Sequence, residues 1–441
     1  MDTSSWGTRT ERLVVVGGGQ AAVQLIEVAR HKGFEGRITL VSEEPLLPYQ
    51  RPPLSKQYLM GTCGPDWLLY RPERFYERYA VDLRLGRRVV AIDRRAGRVT
   101  LADGGLLGYE KLALATGARS RRLAVPGSEG GRVWHIRTRA DVDGLRSQLR
   151  SARKVVIIGG GFIGLETAAV LSQTGVEITL LVAGSQLIPR VVGADMMEFL
   201  MDQHRQHGVR IELHAVVTAL EQGREGGFAV CLGDGRRFEA DLVLAGIGAL
   251  PNVELAQEAG LDCDDGIVVD ELARTSDPAI VAAGDCTNHP NGLIRRRLRL
   301  ETVHNAVEQG RTAGATIAGI ELPYVQTPWV WSDQYQLRLQ SVGIADGYDQ
   351  TVWRGDAGAG RFSLFYFRAG ELLAVNCINQ PLVFGAVRRL LNERIALAPA
   401  EAADAGFDLS RRLPSKARLD FDVPWPARSA RRQAAIAWGF E

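Results

Sequence analysis

Two stretches of the chain repeat one pattern of apolar and polar positions. Leu13-Val14-Val15-Val16 is an unbroken apolar run that ends in Gly17-Gly18-Gly19-Gln20-Ala21-Ala22, and Val155-Val156-Ile157-Ile158 ends in Gly159-Gly160-Gly161-Phe162-Ile163-Gly164. A short β-branched run without alternation reads as a strand buried on both faces, and the glycines read as the turn that closes it. After each turn the apolar positions take helical spacing, over roughly Ala22 to Lys32 and Gly164 to Gln173. A second apolar strand follows each time, Ile38 to Val41 and Val176 to Val182. Strand–helix–strand twice in one chain predicts an α/β protein built on two Rossmann-like dinucleotide-binding units.

The glycines carry a chemical reading. The first of each set makes the tight turn, the second lets the backbone approach a pyrophosphate, and the helix behind offers unpaired N–H groups and a positive dipole end. The third position needs only to be small, and Ala22 fills it in the first copy, Gly164 in the second. One glycine turn alone serves many folds; two in full context point to two dinucleotides. The expected contacts are Gly17, Gly19, Gln20, Ala21 and Ala22 in the first copy, and Gly159, Gly161, Phe162, Ile163 and Gly164 in the second. Glu43, 26 residues after Gly17, stands where an acid binds ribose hydroxyls, so the first copy should hold an adenosine. The second copy reads Leu181-Val182-Ala183-Gly184-Ser185-Gln186 there, with neither an acid for NAD nor an arginine for the 2′-phosphate of NADP. Val182 cannot repel that phosphate and Arg190 is the nearest base, so NADPH is expected beside NADH at comparable efficiency, with NADH favoured.

Composition narrows the chemistry. With 441 residues, 46% hydrophobic and 24% charged, and no apolar stretch near the ~20 residues of a membrane span, the expectation is a soluble protein of two or three domains. The polar start, Met1 to Thr10, lacks the features of a secretory signal, which suggests the cytoplasm. The five cysteines, Cys63, Cys231, Cys263, Cys286 and Cys377, form no C-x-x-C pair, which argues against a disulfide framework, a zinc site, an iron–sulfur cluster or a redox dithiol. His204 and His207 lie three apart on a predicted helix and could in principle hold a metal, but no thiolate or acid completes such a site, and they read as polar side chains on the protein surface. No metal is expected. Electrons must therefore travel by a bound cofactor. Net charge is only +2, so local arginine clusters such as Arg295-Arg296-Arg297 and Arg299 matter more than the sum.

Further motifs carry a resemblance. Arg51-Pro52-Pro53-Leu54-Ser55-Lys56, Ala115-Thr116-Gly117, Leu165-Glu166 after the second glycine turn, Gly246-Ile247-Gly248-Ala249-Leu250-Pro251-Asn252, Ala283-Gly284-Asp285 and Trp331-Ser332-Asp333-Gln334-Tyr335 are the residues concerned. With them the chain resembles, over nearly its whole length, the FAD-dependent NAD(P)H ferredoxin reductases of oxygenase systems. The resemblance implies a glutathione-reductase-like pair of Rossmann domains and a C-terminal α/β domain closing over the flavin. It implies a discontinuous FAD domain over 1–117 and 248–325, an NAD(P)H domain over 118–247 and a third domain over 326–410. A basic extension at 411–441, with seven basic residues and three acids, runs past the family's usual end.

The resemblance also assigns roles. Lys56 and Glu166 would form the catalytic pair, the lysine beside the flavin and the carboxylate also touching the nicotinamide; alone, each reads as a solvated charge or a helix-dipole partner. Arg51, Ala115, Thr116, Gly117, Glu301, Thr302 and Val303 would contact FAD, and Gly246, Ile247 and Gly248 the nicotinamide coenzyme. Asp285, ending an apolar strand ahead of an expected helix, suits a ribityl ligand, a helix N-cap, or both. Val303 stands where some members place a tryptophan that stacks on the ring, so Trp331 is expected near the flavin, although Trp329 and Trp331 both suit a domain core. Arg295, Arg296, Arg297 and Arg299 would dock an acidic [2Fe-2S] ferredoxin or simply solubilise a loop. The function implied is hydride transfer from NADH, with NADPH possible, to FAD, then single electrons to a [2Fe-2S] ferredoxin that serves a ring-hydroxylating dioxygenase or a cytochrome P450. A disulfide or peroxide reductase needs a partnered cysteine near the flavin, and Cys63 has none in the sequence around it. The remaining rival is a redox-signalling flavoprotein, like apoptosis-inducing factor, that oxidises NADH slowly.

Overall fold

The computed structural model describes residues 9–189, 191–223 and 226–414. Arg190 and the extension from 415 onward lie outside the described residues.

The chain opens with β1 (Arg9–Val16), α1 (Gln20–His31), β2 (Gly36–Ser42), β3 (Val81–Leu85) and β4 (Lys111–Leu114). It then passes through Ala118–Ser120, which pairs antiparallel with the returning Ala249–Pro251. Between these paired crossings lie β5 (Val133–Trp134), α2 (Arg139–Leu149), β6 (Lys154–Ile158), α3 (Phe162–Leu171), β7 (Glu177–Leu181), α4 (Ala194–Gln206), β8 (Arg210–Glu212) and β9 (Leu242–Ala245). After the return come β10 (Ile280–Ala282) and α5 (Val303–Ile317). Last are β11 (Trp329–Gln334), β12 (Leu337–Gly343), β13 (Gln350–Asp356), β14 (Arg361–Arg368), β15 (Glu371–Ile378) and α6 (Pro381–Asn392).

Two parallel sheets result, ordered β10-β4-β1-β2-β3 and β8-β7-β6-β9-β5. Each is covered on both faces, which is why the central runs Leu13–Val16 of β1 and Val155–Ile158 of β6 are apolar throughout. Leu13 and Val15 pack under α1, while Val14 and Val16 face a small antiparallel sheet through Val89 and Val99. The second unit repeats this: Val155 and Ile157 meet Leu165 and Ala168 of α3, and Val156 and Ile158 meet Leu220, Val230 and Phe238. The last five strands form an antiparallel sheet, β11-β12-β15-β14-β13. Strand alternation divides its residues: Phe362, Leu364 and Tyr366 join the core shared with the second unit, while Phe365, Phe367 and Val375 pack under α6.

Differences from the sequence reading are mostly of boundary, since helix ends are set by caps. Gly19 and Gly161 are the extended N-cap residues, so the helices begin at Gln20 and Phe162, two residues earlier than the apolar periodicity indicates. One difference is of kind. Asp285 is followed by the strand Thr287–Asn291, not by a helix, so its carboxylate caps no helix.

Candidate functional site

Both glycine turns have one construction. Gly17 and Gly159 hold φ of +112° and +114°, and a Cβ on them would sit 2.2 Å from the Ala115 carbonyl oxygen and 2.3 Å from that of Gly246. Each turn is thus pressed against the end of the neighbouring strand, which puts Ala115-Thr116-Gly117 and Gly246-Ile247-Gly248 beside the two cradles. Thr116 and Asn252 exchange hydrogen bonds of 2.8 Å in both directions, tying these crossings together. Gly164 has no room for a side chain, since a Cβ would lie 2.0 Å from the Gly159 oxygen, whereas Ala22 carries one at the matching step of the first copy. In contrast, a Cβ on Gly19 meets nothing within 4 Å, and one on Gly161 meets only the Gly246 oxygen at 3.8 Å. Neither helix has a capping side chain. The first-turn N–H groups of α1 and α3 therefore face open cradles.

Between the cradles sits a buried ion pair. Lys56 follows the single helical turn Pro52–Ser55, and its ammonium lies 2.7 Å from the Glu166 carboxylate on the second turn of α3; the side chains are 11% and 4% exposed. Ser55 donates to the same carboxylate oxygen at 2.6 Å, and Ser332 of β11 donates to the other at 2.8 Å. Burial leaves this charge no water, so removing either partner of such a pair typically costs about 3–5 kcal/mol. Segments from both sides of the paired crossings and from the last sheet thus meet at one carboxylate.

A second group surrounds Asp285. Arg137, just ahead of the Thr138 capping box that starts α2, bridges to it at 3.0 Å. Arg51 donates to the Arg137 carbonyl at 2.5 Å and pairs with Glu44 at 2.7 Å. Sequence reasoning missed Arg137; its only local signal is a base beside a capping box, and its partner is 148 positions away. Glu43 stands just past β2 with its side chain 72% exposed, 3.8 Å from Arg88. At the start of α5, Thr302 caps the Asn305 N–H at 3.1 Å, Val303 is half-buried, and Glu301 is exposed and bonded to Arg299. The neighbouring His304 ring lies 5.2 Å from Trp329, which lies 5.6 Å from Trp331, so one face of β11 carries both tryptophans and the other carries Ser332. Val182, at the end of β7, is 5% exposed against Gly160, whose Cβ would meet its methyls at 3.0 and 3.1 Å.

Set against known proteins, residues 11–310 match the model of the pyridine nucleotide-disulphide oxidoreductases, and 329–413 match that of the reductase C-terminal domain. The chain belongs to the pyridine nucleotide-disulphide oxidoreductase family. It is 41% identical to rhodocoxin reductase of Rhodococcus erythropolis over 399 residues, 90% of this chain and 93% of that one. The crystal structure of the ferredoxin reductase for the CYP199A2 system of Rhodopseudomonas palustris matches at a TM-score of 0.88 and 37% identity, over 91% of this chain and 99% of that one. The covalent putidaredoxin reductase–putidaredoxin complex matches at 0.87 and 37%, over 93% and 99%.

Membership of this family implies FAD and NAD(P)H, and the residues present fit them. Two open cradles with uncapped helix N-termini suit two pyrophosphates. The carboxylate of Asp285, 17% exposed, is placed to accept from hydroxyls. Cys63, Cys231, Cys263, Cys286 and Cys377 are all free. Among the described residues there is no cluster of metal-ligating side chains and no helix long and apolar enough to cross a membrane.

The histidine reading needs correction. His204 is fully buried rather than a surface group, and its ring nitrogens lie 2.9 Å from Gln334 Oε1 and 2.8 Å from the Tyr335 hydroxyl. His207 stacks on Tyr335 at 3.7 Å. Of the four arginines expected to dock a partner, three are engaged within the fold. Arg296 pairs with Asp346 at 3.1 Å, Arg297 donates to the Val269 and Asn288 carbonyls at 2.6 Å each, and Arg299 pairs with Asp265 at 2.9 Å and with Glu301. Arg295, at a turn with φ +58°, is exposed and makes no ion pair among the described residues.

Proposed function

We propose that this protein is an NAD(P)H-dependent ferredoxin reductase, with FAD on the first cradle, the nicotinamide coenzyme on the second, and a [2Fe-2S] ferredoxin of an oxygenase system as acceptor. The observation that carries this reading is the Lys56–Glu166 pair, buried between the two cradles and contributed by both units. The chemistry FAD supplies when bound is acceptance of a hydride and release of single electrons. Lys56 stabilises negative charge at the flavin, an electrostatic task that needs no proton transfer, and Glu166 holds the ammonium in place. The cradles would orient the two nucleotides, and the sheet of β11 to β15, which supplies Ser332 to Glu166, would help exclude water from the flavin. Trp329 and Trp331 present aromatic surface there. The chain's similarity to rhodocoxin reductase and to the putidaredoxin reductase of the covalent putidaredoxin complex supports a separate protein as the electron acceptor.

On coenzyme choice, Val182 offers no charge to a 2′-phosphate. Glu212, at the end of the adjoining β8, is neutralised by Arg210 at 2.7 Å and Arg236 at 2.5 Å. NADPH is therefore accepted beside NADH, and a preference for NADH beyond about a thousandfold, or roughly 4 kcal/mol, contradicts this. The deciding experiment is anaerobic titration of the purified yellow protein with each coenzyme, followed by cytochrome c reduction with and without a [2Fe-2S] ferredoxin. Rapid bleaching and a rate that climbs with ferredoxin are expected. Slow bleaching with lasting long-wavelength absorbance and no ferredoxin dependence would instead identify a signalling flavoprotein.

A further inference from the structure

Glu166 stands at the end of a single-file chain of buried hydrogen bonds that begins about where α4 meets the last sheet. Ser332 and Gln334 occupy alternate positions of β11 on one face, opposite the face that carries Trp329 and Trp331, and they are 0% and 2% exposed. Ser332 Oγ lies 2.8 Å from Glu166 Oε1, and Gln334 Nε2 lies 3.0 Å from Ser332 Oγ. Gln334 Oε1 lies 2.9 Å from His204 Nε2, and His204 Nδ1 lies 2.8 Å from the Tyr335 hydroxyl.

Donor and acceptor rules fix the direction of every bond. A carboxylate only accepts, so Ser332 donates to Glu166. The serine oxygen then accepts from the Gln334 amide, whose oxygen must accept from His204 Nε2–H. That leaves Nδ1 of the neutral ring to accept from Tyr335. All four bonds therefore point their protons toward the carboxylate, and each dipole reinforces the next. An amide in the middle rules out easy proton passage, so the chain is built to hold Glu166 and not to feed it protons. Burial supports the neutral ring, lowering the His204 pKa to about 4.

The far anchor is itself a strained residue. Tyr335 is the first residue of the two-residue turn between β11 and β12, with Gln334 paired to Leu337, and it holds φ +55°. Glycine or asparagine is the usual occupant of such a turn, and a bulky side chain there is an outlier. Here the side chain is stacked on His207 and bonded to His204, so the strain is balanced by contacts that only an aromatic hydroxyl makes.

We propose that Ser332, Gln334 and His204 are positioning residues that hold the Glu166 carboxylate, and through it the Lys56 ammonium, in one orientation during reduction of the flavin. The inference rests on the reading of Lys56–Glu166 as the pair that faces the flavin.

The test is a double-variant cycle on the FAD-loaded protein, with Gln334→Met, which keeps side-chain length and touches neither Lys56 nor Glu166, and Glu166→Gln. Stopped-flow reduction by NADH, the flavin midpoint potential and the coenzyme Kd are measured for all four combinations. Gln334→Met is expected to slow reduction by about threefold to tenfold with little change in Kd, because small misplacements of a positioned group are costly. It should shift the potential in the same direction as Glu166→Gln and add nothing when Glu166→Gln is already present. Nitrogen NMR of the histidines should show His204 as the neutral Nε2–H form. If Glu166→Gln slows reduction while Gln334→Met changes neither rate nor potential, or if the two effects multiply, the positioning role is wrong. If Glu166→Gln is itself silent, the reading of the pair falls and the proposal falls with it.

Discussion

His289 shows how far a single residue of this chain departs from its ordinary chemistry. Its side chain is 1% exposed on the strand Thr287–Asn291, neither ring nitrogen has a partner among the described residues, and its ring stands edge-on to Tyr324 at 4.8 Å. Burial first, and the nearby Arg297 second, lower its pKa to about 4. The linkage is that of a depressed base. Below the usual value near 6.5 the unfolded chain takes up a proton that the folded chain refuses, so stability falls as pH falls from there to about 4. His204, held at about 4, acts in the same direction. Replacing His289 by Phe keeps the ring and removes the titration. Between pH 7 and pH 5, urea unfolding of H289F should lose about 2 kcal/mol less than the unaltered protein. An equal loss in both would mean that His289 is hydrated and protonates in the folded state.

At the scale of elements, the first cradle depends on how closely α1 meets α5. A Cβ on Gly310 would lie 2.7 Å from the Ala21 carbonyl oxygen, and one on Gly314 would lie 2.5 Å from that of Leu25. The two helices touch backbone to backbone, and Ala21 belongs to the first turn, whose N–H groups line the cradle. Gly310→Ala must push that turn aside, and overpacking of this kind costs roughly 1–3 kcal/mol. The expected result is a lower melting temperature together with FAD lost on gel filtration, both read from the 450 nm absorbance and a thermal scan. A variant that melts earlier yet keeps its flavin would separate the helix seam from the cradle. Elements of this kind were legible in the sequence wherever the signal is local. The β-branched runs and the glycines that end them stand in the sequence, because a doubly covered strand is apolar at every position and the turn demands φ that glycine tolerates. What was not legible depends on partners far along the chain. Burial of His204 is set by Gln334, 130 positions on, and the role of Arg137 by Asp285. The strand after Asp285, Thr-Asn-His-Pro-Asn, is polar, and it is held by pairing with Arg296–Leu298 and Ile267–Val268 and not by any apolar alternation of its own.

For the whole molecule, the question is where the proposed ferredoxin would approach. A net charge of +2 gives no overall steering, so any attraction must come from a local patch. The arginine run at 295–299 looked uniform in sequence, but the fold uses its members differently. Arg297 spends its guanidinium on two backbone carbonyls, so charge reversal there should damage the hairpin itself and report nothing about docking. Arg296 and Arg299 are already opposed by Asp346 and Asp265. Arg295 alone of the four has neither an ion pair nor a side-chain hydrogen bond among the described residues, and it stands at the end of its turn. The docking assignment therefore reduces to a sharp expectation for one side chain. Arg295→Glu should leave reduction of the flavin by NADH unchanged and lower the ferredoxin-dependent rate about threefold to tenfold at low salt. That gap should close as salt rises past about 0.1 M, where charges more than ~10 Å apart are screened. Steady-state cytochrome c reduction over a salt series, with ferredoxin limiting, measures both quantities in one assay. A salt dependence unaltered by the reversal would move the docking face away from this loop, while the assignment of the cradles and of Lys56 would stand.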